Sequence, residues 1–300
     1  MNESTGFRCG HVALLGRPNV GKSTLLNGLL GCHLSIVSPK PQTTRHRILG
    51  IVTRDAGQIL YLDTPGLHRG ARKAMNRSLN RAAHAALAEA DVVVQVVEAG
   101  KWTDEDEAVH AALSEASQPS LLAVNKVDLM RDKRQLLPYV EQVMGAHRFD
   151  EVHYVSARRR DGLDALEQAI LNRLPERAAL FDEDELTDRS ERFLVAERVR
   201  EQLMLRLQDE LPYATTVEVE SFKNRDDGSS EVHAVIWVER DGQKAIVIGR
   251  GGSVLKEVGS SARRGIESLL ERRVHLKLWV KVREGWSDDD ATLQRFGYTD

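Results

Sequence analysis

The sequence predicts two domains of different class: an α/β domain with a doubly wound, mainly parallel sheet over residues 1–176, and a small α+β domain over 191–300, joined by a linker at 177–190. Three observations carry this. A chain of 300 residues reaches the size, about 250 to 300 residues, at which one hydrophobic core usually stops growing. Its first part alternates short β-branched runs with longer amphipathic segments, as sheets covered by helices on both faces do. That alternation breaks at PERAALFDEDELTDRSE (175–191), whose acidic run from Asp182 to Glu185 reads as a solvated spacer.

In order, the strands are HVALLG (11–16), RILGIVT (47–53), QILYLD (58–63), DVVVQVV (91–97), SLLAVN (120–125) and EVHYVS (151–156). Helical patterning lies between them near 22–31, 72–89, 104–116, 131–145 and 162–174, and Thr103 and Asp106 stand in capping-box spacing before the third. Past the linker, Val195, Val199, Leu203 and Leu207 repeat every fourth residue and form one apolar stripe. The opposite face mixes Glu197, Arg198, Arg200, Glu201 and Arg206, which favours a core-packed helix over one lying on a membrane. Two period-2 strands follow, TVEVESF (216–222) and EVHAVIWVE (231–239). An apolar run and a glycine turn, AIVIGRGG, lead to helical pieces at 253–258 and 260–272. The last strand, VHLKLWVKV (274–282), sets Val274, Leu276, Leu278, Val280 and Val282 against His275, Lys277, Trp279 and Lys281.

Composition is that of an ordinary soluble protein: 41% hydrophobic, 29% charged, formal net charge −3. Any surface for nucleic acid must therefore be local. Cys9 and Cys32 share no CxxC, which points to inert thiols in a reducing cytoplasm. The amino terminus lacks an apolar signal-peptide core, and DVVVQVVEA is half the length of a membrane span. The ten histidines show no metal-ligand spacing.

Chemistry concentrates first in GRPNVGKST: Gly16, Arg17, Pro18, Asn19, Val20, Gly21, Lys22, Ser23 and Thr24. A GxxxxGK[ST] run that follows a strand and opens a helix turns its amides inward onto a triphosphate. Lys22 then reaches the β- and γ-phosphates, and the Ser23 hydroxyl is placed to ligate Mg²⁺. In ILYLDTPG, the strand ends in Asp63, a carboxylate at the sheet edge where that metal lies; Thr64, Pro65 and Gly66 follow, and Gly66 offers an unhindered N–H to the γ-phosphate. Asp-Thr-Pro-Gly alone is a common turn, but its position two strands after the cradle gives it this reading. Asn125, Lys126, Val127 and Asp128 close a buried strand, where open α/β sheets bind ligands. Asp128 can accept from guanine's ring N–H and exocyclic amine. Adenine would leave that carboxylate unpaired, which argues against a kinase or ATPase. The stem of Lys126 covers the base, and Ser156, Ala157 and Arg158 complete the pocket through their backbone.

In order, these motifs resemble those of the translation-factor-like GTPases, so the α/β domain is expected to be a P-loop GTPase domain. The resemblance implies that a threonine of PQTTRHR, Thr44 with Thr43 as the alternative, joins Ser23 and Asp63 on Mg²⁺ when GTP is bound. Lys22, Thr44 and Gly66 are the expected catalytic positions. Leu67 stands where Ras-type GTPases carry the glutamine that orients the attacking water, so intrinsic turnover is expected to be slow. By the same resemblance, the missing geometry comes from backbone groups, a partner, or K⁺ held at Asn19.

GRGG, Gly249 to Gly252, fits the weak pattern GxxG, which GLLG at 28–31 matches too. Only the former lies in a small α+β domain, with Arg250, Lys256, Arg263 and Arg264 at or near it. A turn without bulky side chains there lets a polynucleotide backbone lie against the chain beside a groove for about four unpaired bases. A plain glycine-capped turn is the competing reading. TDRSERF, ELPY, VIGRGG and HLKLWVKVREGWSDD, added to the nucleotide motifs, resemble bacterial GTPases that carry a type II KH domain. That family implies binding to the 3′ end of small-subunit ribosomal RNA and help in assembling the subunit. It also implies a cytoplasmic monomer with peripheral association at the inner membrane, though no anchor is visible. Many KH loops hold two basic residues between the flanking glycines, whereas Arg250 is followed here by Gly251.

Overall fold

The computed structural model describes residues 6–66, 74–114 and 117–298. They fall into two compact units, one running to Asp188, the other holding Arg189 onward together with the segment Ile36–Thr43.

In the first unit, β1 (Arg8–Leu15), β2 (Ile48–Arg54), β3 (Gly57–Asp63), β4 (Val92–Glu98), β5 (Ser120–Asn125) and β6 (Glu151–Tyr154) form one sheet in the order β2-β3-β1-β4-β5-β6. All neighbours are parallel except β2 and β3, which turn back on each other across residues 55–56 and so must run antiparallel. The helices are α1 (Lys22–Leu30), α2 (Ala74–Glu89), α3 (Asp104–Ser114), α4 (Leu136–Ala146) and α5 (Leu163–Leu171). Strand order reverses between β1 and β4, and the loops after these strands open at the crevice where such sheets bind ligands. Strand centres are fully buried: Val12, Leu14, Leu60, Val94 and Leu122 have no exposed surface. Cys9 is buried with them.

The predicted spacer is tethered. Gln58 Oε1 accepts from the Leu180 and Phe181 amides, and Ile51 N–H donates to Leu186 O, extending the free edge of β2. Between these anchors the acidic run 182–185 is exposed, as a solvated stretch should be.

In the second unit, α6 (Glu191–Arg206), β7 (Thr216–Asn224), β8 (Ser230–Val238), α7 (Asp241–Ile248), α8 (Ser253–Leu270) and β9 (Val274–Val282) are followed by α9 (Asp290–Arg295). The sheet runs β7-β8-β9, antiparallel then parallel, with α7 and α8 forming the crossover that the parallel pair requires. Two readings change here. AIVI is the end of α7 and buries only Val247. The pieces 253–258 and 260–272 are one helix through Gly259, because Val258, Ala262 and Ile266 make a continuous buried stripe that outweighs about 1 kcal/mol of glycine penalty. The polar face of α6 is buried as well: Arg200 is 1% exposed and donates through Nε and Nη2 to both Glu197 oxygens at 2.7 Å, while Arg198 and Glu201 pair at 3.5 Å. Charges so buried persist because they are paired. Among the described residues, no helix is long and apolar enough to cross a membrane.

Candidate functional site

The cradle is built as its spacing required. Gly16 lies so near β4 that a Cβ there would sit 2.4 Å from Val96 O, and Gly21, at φ +103°, would press one to 2.5 Å from Asn125 Nδ2. Only glycine fits either place. Lys22 Nζ donates to Gly16 O at 2.8 Å and Arg17 O at 3.1 Å, across the mouth of the loop. Burial is the main reason its ammonium pKa falls to about 8, with Asp63 pulling the other way. An anion would supply the countercharge that the loop lacks. The loop is braced from outside: Arg17 Nε donates to Asp106 Oδ2 at 3.0 Å, and Asn125 Nδ2 to Val20 O at 2.8 Å.

Beside it, Asp63 is fully buried and its Oδ2 accepts from Ser23 Oγ at 2.8 Å and Ser35 Oγ at 2.7 Å. Burial pushes this carboxyl's pKa up, against the Ser35 bond, Lys22 and the Ser23 bond. Oδ1 is buried with no partner among the described residues. Ser23 Oγ lies 2.8 Å from Thr44 Oγ1, whereas Thr43 Oγ1 is turned to Ser38 Oγ and Lys40 O. Of the two threonines, Thr44 therefore stands with Ser23 and Asp63. Thr64 Oγ1 donates to Leu14 O, and Gly66 packs on Pro18. Leu67 lies outside the described residues.

On the base side, Lys126 adopts the left-handed backbone at φ +64° and its Nζ reaches back to Asn19 O at 2.7 Å, so the stem spans from β5 to the cradle. Its second partner is Glu98 Oε2 at 2.8 Å. Burial works against ionisation of Glu98, yet Lys101 and Lys126 hold its carboxyl at about 2. Asp128 Oδ1 accepts from Ser156 Oγ at 2.7 Å. The Ala157 N–H donates to Asn125 Oδ1 at 3.0 Å, which braces the loop after β6 against the end of β5. Arg158 is exposed; its neighbour Arg159 is the arginine that approaches Asp128, at 3.8 Å.

In the second unit, Gly249, Gly251 and Gly252 have φ of +74°, +60° and +78°, a turn that L-residues with side chains rarely enter. It opens α8. A groove of about 380 Å³ runs between α8 and β9, lined by Gly252, Leu255, Lys256, Gly259, Ser260, Arg263, Leu276 and Leu278. Lys256 and Arg263 are on its lining, and Arg263 also meets Glu267 at 3.1 Å. Arg264 does not line it and instead donates to Ser261 Oγ. Arg250 is exposed on the turn.

Comparison with known proteins agrees with both halves. A family model described as a 50S ribosome-binding GTPase matches residues 11–126, and a KH domain model matches 210–287. GTPase Era of Stenotrophomonas maltophilia (strain R551-3) is 54% identical over 298 residues, covering 99% of this chain and 100% of that protein. That of Xanthomonas campestris pv. campestris (strain B100) is 55% identical with the same coverage. The chain belongs to the Era GTPase family. Among solved Era structures, a single-substitution variant of Aquifex aeolicus Era bound to GDP·AlF4⁻ has a TM-score of 0.95 at 37% identity, covering 98% of this chain and 100% of that one. Era in complex with MgGDPNP and nucleotides 1506–1542 of 16S ribosomal RNA matches with the same TM-score, identity and coverage.

Against this Era-family frame, sequence reasoning missed the residues that brace the motifs. Ser35 reaches Asp63 because Asn27, on α1, holds the Ser35 amide and carbonyl. Glu98 stands beside Asn125 because the parallel register pairs them. Neither carries a motif; for Asp106 the capping box was the visible signal, and Thr103 N and Oγ1 do donate to its Oδ2.

Proposed function

We infer that the protein is a Mg²⁺-dependent GTP-hydrolysing switch that binds the 3′ end of small-subunit ribosomal RNA through its KH domain and assists assembly of that subunit. The observation carrying this reading is the Era relative held with MgGDPNP and the 16S nucleotides, whose fold matches 98% of this chain. We assign 1–176 to the GTPase domain, 177–190 to the linker and 191–300 to the KH domain.

The donor set fits Mg²⁺: two adjacent hydroxyls, Ser23 and Thr44, and a buried carboxylate oxygen of Asp63 that has no partner among the described residues. Held there by Ser23, Thr44 and Asp63, Mg²⁺ would offset the negative charge of the phosphates. The rest falls to the chain. The amides of the cradle and the Lys22 ammonium hold the phosphates, Gly66 N–H marks the γ-phosphate, and Asp128 takes the two guanine donors while the Lys126 stem lies along the base. Turnover is slow because Leu67 cannot orient water. K⁺ at Asn19 or bound RNA supplies the missing geometry. GTP orders the segments around Thr44 and 63–67, and hydrolysis releases them together with the RNA. In the KH domain the turn 249–252 admits the RNA backbone, with Arg250, Lys256 and Arg263 meeting phosphates. The protein acts as a cytoplasmic monomer with peripheral contact to the inner membrane.

Titration with GDP, GTP and ATP analogues, and with a single-stranded 3′-end oligonucleotide against its scrambled counterpart, tests the reading. Guanine preference and sequence preference are expected. Adenine preference, or equal binding of both oligonucleotides, contradicts it. Single-turnover hydrolysis in K⁺ against Na⁺, with and without RNA, tests the accelerator; equal, fast rates in all four conditions sink it.

A further inference from the structure

Glu98 belongs to none of the nucleotide motifs, yet it touches two of them. It ends β4, beside Asn125 in the parallel register, with its side chain only 18% exposed. One carboxylate oxygen, Oε2, lies 2.8 Å from Lys126 Nζ and 3.6 Å from Arg17 Nη2; the other, Oε1, lies 2.5 Å from Lys101 Nζ. Lys101 is largely exposed, whereas Arg17 and Lys126 are 14% and 28% exposed and belong to the phosphate loop and the base loop. A lysine side chain has many rotamers, and one held by a single carbonyl bond would leave its stem often elsewhere. With Glu98 and Asn19 O both on Nζ, the stem has one path, across the place where a purine enters.

We propose that Glu98 is a positioning residue for guanine nucleotide binding: it pins Lys126 as the lid of the base and, through Arg17, ties that lid to the phosphate loop. This rests on the reading of the site as a guanine nucleotide site. Glu98 touches no reacting atom, so its loss acts on binding and leaves the chemical step alone.

The test is GDP affinity by calorimetry and single-turnover hydrolysis at saturating GTP, for wild type, Glu98→Gln, Lys126→Ala and the double variant. Glu98→Gln should weaken GDP about tenfold while the saturated rate stays within about twofold. Once Lys126 is alanine, Glu98→Gln should add less than about twofold, because its main partner is gone. Lys101→Ala, which removes the exposed partner only, should leave affinity unchanged. If Glu98→Gln fails to fold, Glu98→Asp withdraws the carboxylate by one methylene, keeps its charge, and should weaken GDP with the same split. Unchanged GDP affinity in the folded Glu98 variant overturns the proposal. So do effects of Glu98→Gln and Lys126→Ala that multiply, or an equal fall in rate and affinity. Wild type that fails to bind GDP overturns the underlying reading instead, and the proposal with it.

Discussion

The nucleotide site and the KH groove, both proposed to hold phosphates, are made of opposite materials. In the first, Lys22, Asp63 and Asn125 are buried and held by hydrogen bonds within the site, so each misplaced partner leaves a dry polar atom unpaired. In the second, half-buried leucines and a backbone turn shape the groove, and the cations Arg250, Lys256 and Arg263 stand in water. A buried polar site selects through the penalty for a wrong partner. An exposed basic groove selects by shape and gains affinity from salt-screened charge.

Asp128 should break that comparison hardest. Two hydrogen bonds to a charged group, at about 1.5–3 kcal/mol each, set a loss of roughly a hundredfold or more in GDP affinity for Asp128→Ala. Asp128→Asn presents one acceptor and one donor, which suits xanthine, so competition between GDP and xanthosine diphosphate should reverse. Oligonucleotide binding should not move.

Replacing Arg250 and Lys256 together with alanine attacks the other side. If each meets one phosphate of a single strand, the slope of log K against log salt should fall by about 1.4, which at roughly 0.1 M salt is about 25-fold in affinity. GDP affinity, by calorimetry, should be unchanged. Loss of both affinities together would show that the sites are not separate.

The buried lysine sharpens the contrast through pH. Free protein has Lys22 lowered from 10.5 to about 8, and a bound polyphosphate raises it again. Binding therefore takes up a proton above pH 8, and GDP affinity should fall as pH rises, by at most about tenfold per unit. Calorimetry in buffers of different ionisation enthalpy reads that uptake directly; a flat profile from about pH 7.5 to 9.5 contradicts it.

The smallest effect is expected at Gly259. A Cβ there meets Leu278 Cδ1 at 3.4 Å, an ordinary contact, and glycine inside a helix is about 0.5–1 kcal/mol worse than alanine. Gly259→Ala should raise Tm by a few degrees while narrowing the groove and weakening RNA less than the double substitution does.

How much of this was legible follows the same division. Strand, glycine turn and helix around Gly16 to Ser23, Asp63 at the end of β3, and Asp128 in the turn just after β5 are short-range patterns, and the fold keeps them. Ser35, Glu98 and the Arg17–Asp106 pair were invisible because sheet register and loop closure bring them in, and neither is written in local spacing. Periodicity also misled where tertiary burial overrode it. Gly259 looked like a helix break, but the buried stripe Val258, Ala262 and Ile266 carries one helix through it.

The most direct test of two sites with different physics is one salt series, from about 50 to 500 mM NaCl, following GDP, ADP and the 3′-end oligonucleotide on wild-type protein. The account predicts a steep linear fall for the oligonucleotide, about 0.7 in slope per phosphate contacted, with the GDP-over-ADP preference constant throughout. A preference that collapses with salt, or an oligonucleotide affinity indifferent to it, would contradict the account.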